Sequence, residues 1–136
     1  MRNQLLQTIS LILAVLAALT TVSVGIYMAQ PWGDNYAYQS VSGYAVLMLF
    51  LFWALAPYIY LIWQSLQKQP TDRLVFAALV SSVVVCVGGV VLLIDTAFVN
   101  MDAQGGAILM FLPIYQWLVI GVCLTISALW GFLKAT

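Results

Sequence analysis

Hydrophobic and polar positions alternate along the chain in long blocks. Four apolar runs are separated by short polar stretches, and they extend over residues 5–28, 44–63, 74–94 and 107–133. A helix needs about 20 apolar residues to cross a bilayer. The pattern therefore predicts an all-α integral membrane protein, in which four transmembrane helices form one compact bundle with short loops and no further domain.

The polar stretches carry residues that end and begin helices. The second run follows QPWGDNYAYQSVSG, where Pro31, Gly33 and Gly43 favour turns. The third run follows QSLQKQPTDR, in which Pro70 stops one helix and Thr71 or Asp72 caps the next. The first run is longer than the apolar core of a cleaved signal peptide, so we expect it to be retained as the first span.

Charge is scarce, and this excludes several classes of function. The chain is 65% hydrophobic and 6% charged, and it has no histidine and no glutamate. Soluble domains carry about a quarter charged residues, so this composition argues against a soluble domain. Without histidine, the usual haem ligand and the commonest general base are absent. We therefore predict no catalytic residue, no cofactor, no metal site and no enzyme activity, and the few basic residues form no nucleic-acid surface.

The distribution of charge predicts an orientation. With four spans, every basic residue falls on one side of the membrane; these residues are Arg2, Lys68, Arg73 and Lys134. Basic residues are enriched on the cytoplasmic side. The size and layout resemble those of many bacterial inner-membrane proteins, so we expect that membrane, with both termini in the cytoplasm.

Three acids lie in or next to the loops on the other side: Asp34, Asp95 and Asp102. Together they would form an acidic outer mouth that concentrates cations. The segment NMDAQG, residues 100–105, resembles the start of a calcium loop, but the position of the bidentate glutamate is Phe111. We interpret that segment as a polar turn.

Small residues recur at helical spacing in three of the four spans. The stripes are Ala14, Ala17, Ala18, Thr21 and Gly25; Ala78, Ser82, Cys86, Gly88 and Gly89; and Gly121, Thr125 and Ala128. Small residues let membrane helices approach closely. We therefore expect spans one, three and four to form the tight core. Alternatively, one of the stripes would face a second copy of the chain and mediate self-association. Cys86 and Cys123 are interpreted as small core residues.

The second span is bulky and aromatic, and it lacks such a stripe. We expect it to pack loosely or to meet another chain. The candidate partner face consists of Trp53, Tyr58, Tyr60 and Trp63.

Two prolines and one glutamine interrupt the apolar runs. Pro57 and Pro113 predict bends in the second and fourth spans. Gln116 would hydrogen-bond across to a neighbouring helix, for example to Tyr58 or Tyr60. Alternatively, Tyr115, Gln116 and Trp117 would form a pocket near the outer leaflet, together with the aspartate-bearing loop that precedes this span.

Three functional hypotheses follow. The first is a non-enzymatic helical subunit, accessory or structural, that associates with other copies of itself or with another membrane protein. The second is a small homo-oligomeric channel or transporter with the acidic outer mouth. The third is a protein that binds membrane lipid or quinone between its aromatic helices.

Overall fold

Four long helices make up most of the part of the protein that the structure describes. The computed structural model describes residues 2–29, 40–99 and 105–133, with side chains in the last range from Ile108 onward. The helices are α1 (Arg2–Ala29), α2 (Val41–Leu66), α3 (Asp72–Ile94) and α4 (Gly105–Leu133), and α3 continues into a π-helical turn, Asp95–Val99. Each is long and apolar enough to cross a membrane. The predicted all-α architecture is confirmed, with four long apolar helices in place of the four predicted spans. That these helices cross a membrane stays a prediction.

Side-chain caps fix the starts of the two helices that follow described connections. The Ser40 hydroxyl accepts a hydrogen bond from the Gly43 amide at the start of α2. The Thr71 hydroxyl accepts one from the Leu74 amide at the start of α3. Each cap satisfies a backbone N–H that has no partner within the helix. Thr71 is one of the two caps predicted for this position.

The helices form a four-sided bundle. α1 packs extensively on α2 and α3, and α4 packs on α3 and α2. The diagonal pairs, α1 with α4 and α2 with α3, make few contacts. Each helix therefore has two neighbours, in the cyclic order α1, α2, α4, α3.

The expectation that spans one, three and four form the tight core is wrong. α2 packs on α1 as extensively as α3 does, whereas α1 and α4 hardly meet. One reason is that Gly25 of α1 leaves space for Leu51 of α2, since a Cβ at Gly25 would lie 2.8 Å from the Leu51 Cδ2 atom. A bulky helix therefore packs closely when its neighbour supplies the small residues.

The core takes residues from all four helices. The cluster nearest the middle of the bundle comprises Ala14, Ala17, Tyr58, Leu61, Val85, Cys86 and Ile120. A second cluster comprises Val24, Ala54, Leu93, Ala97, Leu109 and Leu112. The small-residue stripes of α1 and α3 largely point into these clusters, as the sequence predicted.

Three basic residues gather at one end of the bundle, which we call the basic end. Arg2 begins α1, Lys68 lies in the α2–α3 connection, and Arg73 lies in the first turn of α3. Hydrogen bonds hold this end together: the Asn3 amide donates to the Asp72 carboxylate, and the Gln7 amide donates to the Gln67 carbonyl.

The last part of α4, residues 121–133, differs from the rest of the bundle. We call it the terminal half of α4. After Ile120, no residue of α4 up to position 133 is buried. The third predicted stripe, Gly121, Thr125 and Ala128, is exposed, and a Cβ at Gly121 would meet no atom within 4 Å. This stripe does not pack within the chain.

Enlarging a buried residue of the α1 stripe should destabilise the bundle. Ala14 is 0% exposed. We expect Ala14→Leu to lower the free energy of unfolding in detergent micelles by about 1–3 kcal/mol, because the core has no room for the added carbons. Val15→Leu, at the neighbouring exposed position, is the control and should change stability little. Equal stability of the two variants would contradict close packing of α1 at Ala14.

Candidate functional site

A hydrogen bond joins α2 and α4 in the interior of the bundle. Tyr58 and Gln116 are both fully buried, at 0% exposure. The Gln116 Nε2 atom donates to the Tyr58 hydroxyl oxygen over 2.7 Å. The expectation that Gln116 bonds across to a neighbouring helix is confirmed, and Tyr58 is the partner.

The other two helices complete this polar centre, which comprises Thr21, Tyr58, Gly89 and Gln116. A Cβ at Gly89 of α3 would lie 2.5 Å from the Gln116 Nε2 atom and 2.8 Å from the Tyr58 hydroxyl. Glycine therefore provides the space that the hydrogen bond occupies. Thr21 of α1 lies beside the Tyr58 hydroxyl, outside strict hydrogen-bond geometry.

Further polar side chains are buried toward the basic end. Ser65 and Ser81 donate to carbonyls of their own helices. Ser10 Oγ, Gln64 Oε1 and Ser82 Oγ have no hydrogen-bond partner among the described residues. All of these groups are uncharged at neutral pH. These groups are suited to holding the helices in register, and among the described residues no charged side chain, from which proton relays are usually built, is buried with them.

Metal binding has no support in the part of the chain that the structure describes. Within those residues, no group of three histidine, cysteine or acidic side chains is close enough to hold an ion. Cys86 is buried in the core, Cys123 is half-buried, and both are free thiols. They are placed as small apolar residues, consistent with the sequence interpretation.

Both prolines lie within continuous helices, and both are buried. Pro113 has no N–H to donate to the carbonyl one turn earlier, at Leu109. Next to that position, the Trp53 indole N–H donates to the Met110 carbonyl over 3.1 Å and links α2 to α4. The bends expected at Pro57 and Pro113 stay predictions.

Three aromatic residues of α2, Trp53, Tyr58 and Tyr60, contact α4. The Tyr60 ring lies 5.4 Å from the Trp117 ring and 6.0 Å from the Trp63 ring, measured between centroids. Trp63 is exposed and Tyr60 is half-buried. Tyr58 is buried and does not belong to an exposed partner face, which is a correction to the predicted set.

Tyr115, Gln116 and Trp117 have different neighbours among the described residues, and the pocket predicted for them together with the aspartate-bearing loop stays a prediction. Gln116 points into the polar centre, and the Tyr115 hydroxyl lies near Gly88 of α3. Trp117 lies against Tyr60 of α2. Consecutive residues of a helix project about 100° apart, which separates the three side chains.

Of the three residues predicted to form the acidic outer mouth, the structure describes only Asp95. Its side chain is exposed, at the point where α3 passes into the π-helical turn. Asp34 and Asp102 lie outside the described residues. The acidic mouth therefore stays a prediction.

An open groove lies at the basic end, and the sequence did not reveal it. It runs between α1 and the terminal half of α4, with α3 as its floor, and its volume is about 750 Å³. The apolar lining includes Leu6, Phe76, Val80, Ile126 and Trp130. The available sequence signal was the set of bulky apolar residues at these positions, close to the basic residues Arg2 and Arg73.

Charged groups border this groove. An Arg2 nitrogen and an Asp72 oxygen are 4.0 Å apart, and both side chains are largely exposed. The Arg73 guanidinium reaches from α3 to α4 and donates to the Trp130 carbonyl over 3.4 Å. The groove thus combines an apolar interior with a mostly basic rim.

Comparison of the chain with protein-family models, with curated proteins and with solved structures finds no match.

A double-mutant cycle should measure the Tyr58–Gln116 hydrogen bond. Tyr58→Phe and Gln116→Leu each leave one buried polar group without its partner, whereas the double variant removes both. We expect the two effects on the free energy of unfolding to be non-additive, with a coupling of about 0.6 kcal/mol and at most ~1.7 kcal/mol. Additive effects would show that the bond contributes nothing to stability.

Gly89→Ala, a substitution on α3, should also break the hydrogen bond between Tyr58 and Gln116. The added methyl group would occupy the space of the Gln116 amide and the Tyr58 hydroxyl, both of which are buried. We expect a clear loss of thermal stability. Gly88→Ala is the matched control, since its Cβ would meet the Tyr115 hydroxyl at an ordinary 3.7 Å. A variant at Gly89 as stable as the one at Gly88 would rule out this close approach.

Proposed function

We propose that this chain is a non-catalytic subunit of the bacterial inner membrane that pairs with a second copy of itself through the terminal half of α4. Both termini would lie in the cytoplasm. The observation that carries the proposal is the exposed stripe of Gly121, Thr125 and Ala128, on a helix segment without a buried residue.

Membrane helices associate where small residues allow their backbones to approach closely. The stripes of α1 and α3 are largely used within the chain, whereas that of α4 is left uncovered. Gly121 and Thr125 form a small-xxx-small motif, which is self-complementary when two copies pair in parallel around a two-fold axis. A second copy is therefore the natural partner for this surface.

The stripe also lacks features that would oppose pairing. A Cβ at Gly121 would meet no neighbouring atom, so the backbone is open to approach. The Thr125 hydroxyl donates to the Gly121 carbonyl over 2.8 Å. Pairing would therefore bury no unsatisfied hydroxyl donor, which would be costly in an apolar setting.

The proposed orientation is supported by the charges of the described residues. Arg2, Lys68 and Arg73 share the basic end, and the exposed Asp95 lies at the opposite end. This distribution agrees with the enrichment of basic residues on the cytoplasmic side.

A channel through the single bundle ranks below this proposal. A conducting path needs polar groups along its length. Here the middle of the bundle is filled by fully buried side chains such as Tyr58, Leu61 and Leu93. Ion flux into vesicles that Asp95→Asn abolishes would favour the channel instead.

The pairing is tested by native mass spectrometry of the chain in a mild detergent. We expect a dimer for the unaltered chain and a monomer for Gly121→Ile, because the branched side chain would hold the two helices apart. Ala45→Ile, at an exposed small residue of α2, is the control and should leave the dimer intact.

The fold of the variants is checked by thermal unfolding, which should not change, since Gly121 has free space around it. A dimer that persists in Gly121→Ile would contradict pairing through α4. A mass that includes a different polypeptide would replace self-association with membership of a larger complex.

A further inference from the structure

The groove at the basic end lies where α4 contributes no fully buried residue to the bundle. α1 and α4 are diagonal neighbours with few contacts, and no residue of α4 between 121 and 133 is buried. α3 closes the groove from one side, through Phe76, Ala77 and Val80. The groove faces away from the proposed pairing surface, because its lining residues Cys123 and Ser127 are offset by two residues from Gly121 and Thr125. Two residues of an α-helix correspond to a rotation of about 200°.

The interior of the groove is suited to a hydrocarbon chain. Its volume of about 750 Å³ lies within the usual range for small-molecule sites. The surfaces that α1, α3 and α4 contribute are mostly aliphatic or aromatic, and they include Leu6, Phe76 and Ile126. A polar ligand would find few hydrogen-bond partners beyond the rim.

The rim is suited to a negatively charged group. Arg2, Asp72 and Arg73 line it, so the side-chain charges there sum to +1. The ion pair between Arg2 and Asp72 is long and exposed, and such pairs contribute little and exchange readily. Arg73 donates to the Trp130 carbonyl, and a guanidinium has five N–H donors. Both arginines thus retain capacity for a phosphate oxygen.

We propose that this groove binds an anionic phospholipid, with an acyl chain between α1 and α4 and the phosphate-bearing headgroup at Arg2 and Arg73. Basic pockets between membrane helices are known to recognise anionic lipid headgroups. The inference requires that the helices cross a bilayer, and it does not require that the chain forms a dimer.

The combination of groove and rim selects this ligand over others. A neutral quinone would use the apolar interior and gain nothing from the two arginines. A soluble phosphate compound would use the rim and leave the apolar surface uncovered. An anionic phospholipid would use both the apolar interior and the basic rim. Its acyl chain could enter the groove laterally from the hydrocarbon region of the surrounding bilayer.

The experiment is a lipid titration of the delipidated chain, followed by native mass spectrometry. Phosphatidylglycerol and phosphatidylcholine with identical acyl chains are compared. We expect tighter binding of phosphatidylglycerol, and weaker discrimination when the ionic strength rises from about 0.1 M to about 1 M, since the screening length falls from ~10 Å to ~3 Å.

Arg73→Gln tests the rim. The affinity for phosphatidylglycerol should fall about fivefold, the factor that corresponds to the ~1 kcal/mol typical of one basic residue near a membrane surface. The affinity for phosphatidylcholine should change little. Arg73→Lys keeps the charge and should retain most of the preference. Lys68→Gln removes an exposed basic residue that does not line the groove, so it is the matched control.

Ser127→Trp tests the interior without changing the charge. Ser127 lines the groove, and the indole would fill part of it. We expect fewer bound molecules of either lipid, whereas Ser23→Trp, at an exposed position of α1, should bind as the unaltered chain does. Thermal unfolding without lipid establishes that each variant is folded.

Equal affinity of the unaltered chain for the two lipids would overturn the proposal. Equal losses of affinity for phosphatidylglycerol in Arg73→Gln and Lys68→Gln would also overturn it, because any basic residue at the basic end would then have the same effect. Lipid binding that persists in Gly121→Ile monomers is expected, and it separates this inference from the proposed pairing.

Discussion

The rotation of α4 about its own axis depends on the hydrogen bond between Gln116 and Tyr58. An apolar helix has no strong preference for which side faces its neighbours, but an amide N–H without an acceptor is costly in a medium without water. Turning Gln116 inward therefore fixes the other side chains of α4. At about 100° per residue, Gly121, Thr125 and Ala128 lie roughly 120 to 180° away from Gln116 and must face outward. The exposed stripe is thus a consequence of one buried polar contact.

The same contact positions α2. Tyr58 points inward to meet Gln116, so Trp63 is left on the outer surface, and the Trp53 indole reaches α4 from the side. Gly89 of α3 is required for this arrangement, because a larger residue would displace the two bonded groups. A bulky helix with little of a small-residue stripe is therefore integrated into the bundle by its aromatic polar groups and by the small residues of its neighbours.

The sequence predicted the four spans, their approximate ends, the inward stripes of α1 and α3, and a partner for Gln116. These properties depend on hydropathy and on residue size along one helix. The burial of Tyr58, the outward stripe of α4 and the groove depend on how one helix is rotated against the next, and a run that is apolar on every side carries little information about that rotation. Only the polar residues within the apolar runs, above all Gln116, indicate how a helix is rotated. The acidic mouth depends on Asp34 and Asp102, which lie outside the described residues.

The inward face of α4 continues from the polar centre into the groove. Cys123, Ser127 and Trp130 lie on the same side of the helix as Gln116 and line the groove, where α4 makes few contacts with α1. In a bilayer such an apolar opening does not stay empty, since its lining would lose dispersion contacts that a hydrocarbon chain restores. Any lipid can supply that chain. The headgroup therefore decides which lipid remains bound, and Arg2 and Arg73 are the groups at the rim that distinguish an anionic headgroup from a neutral one.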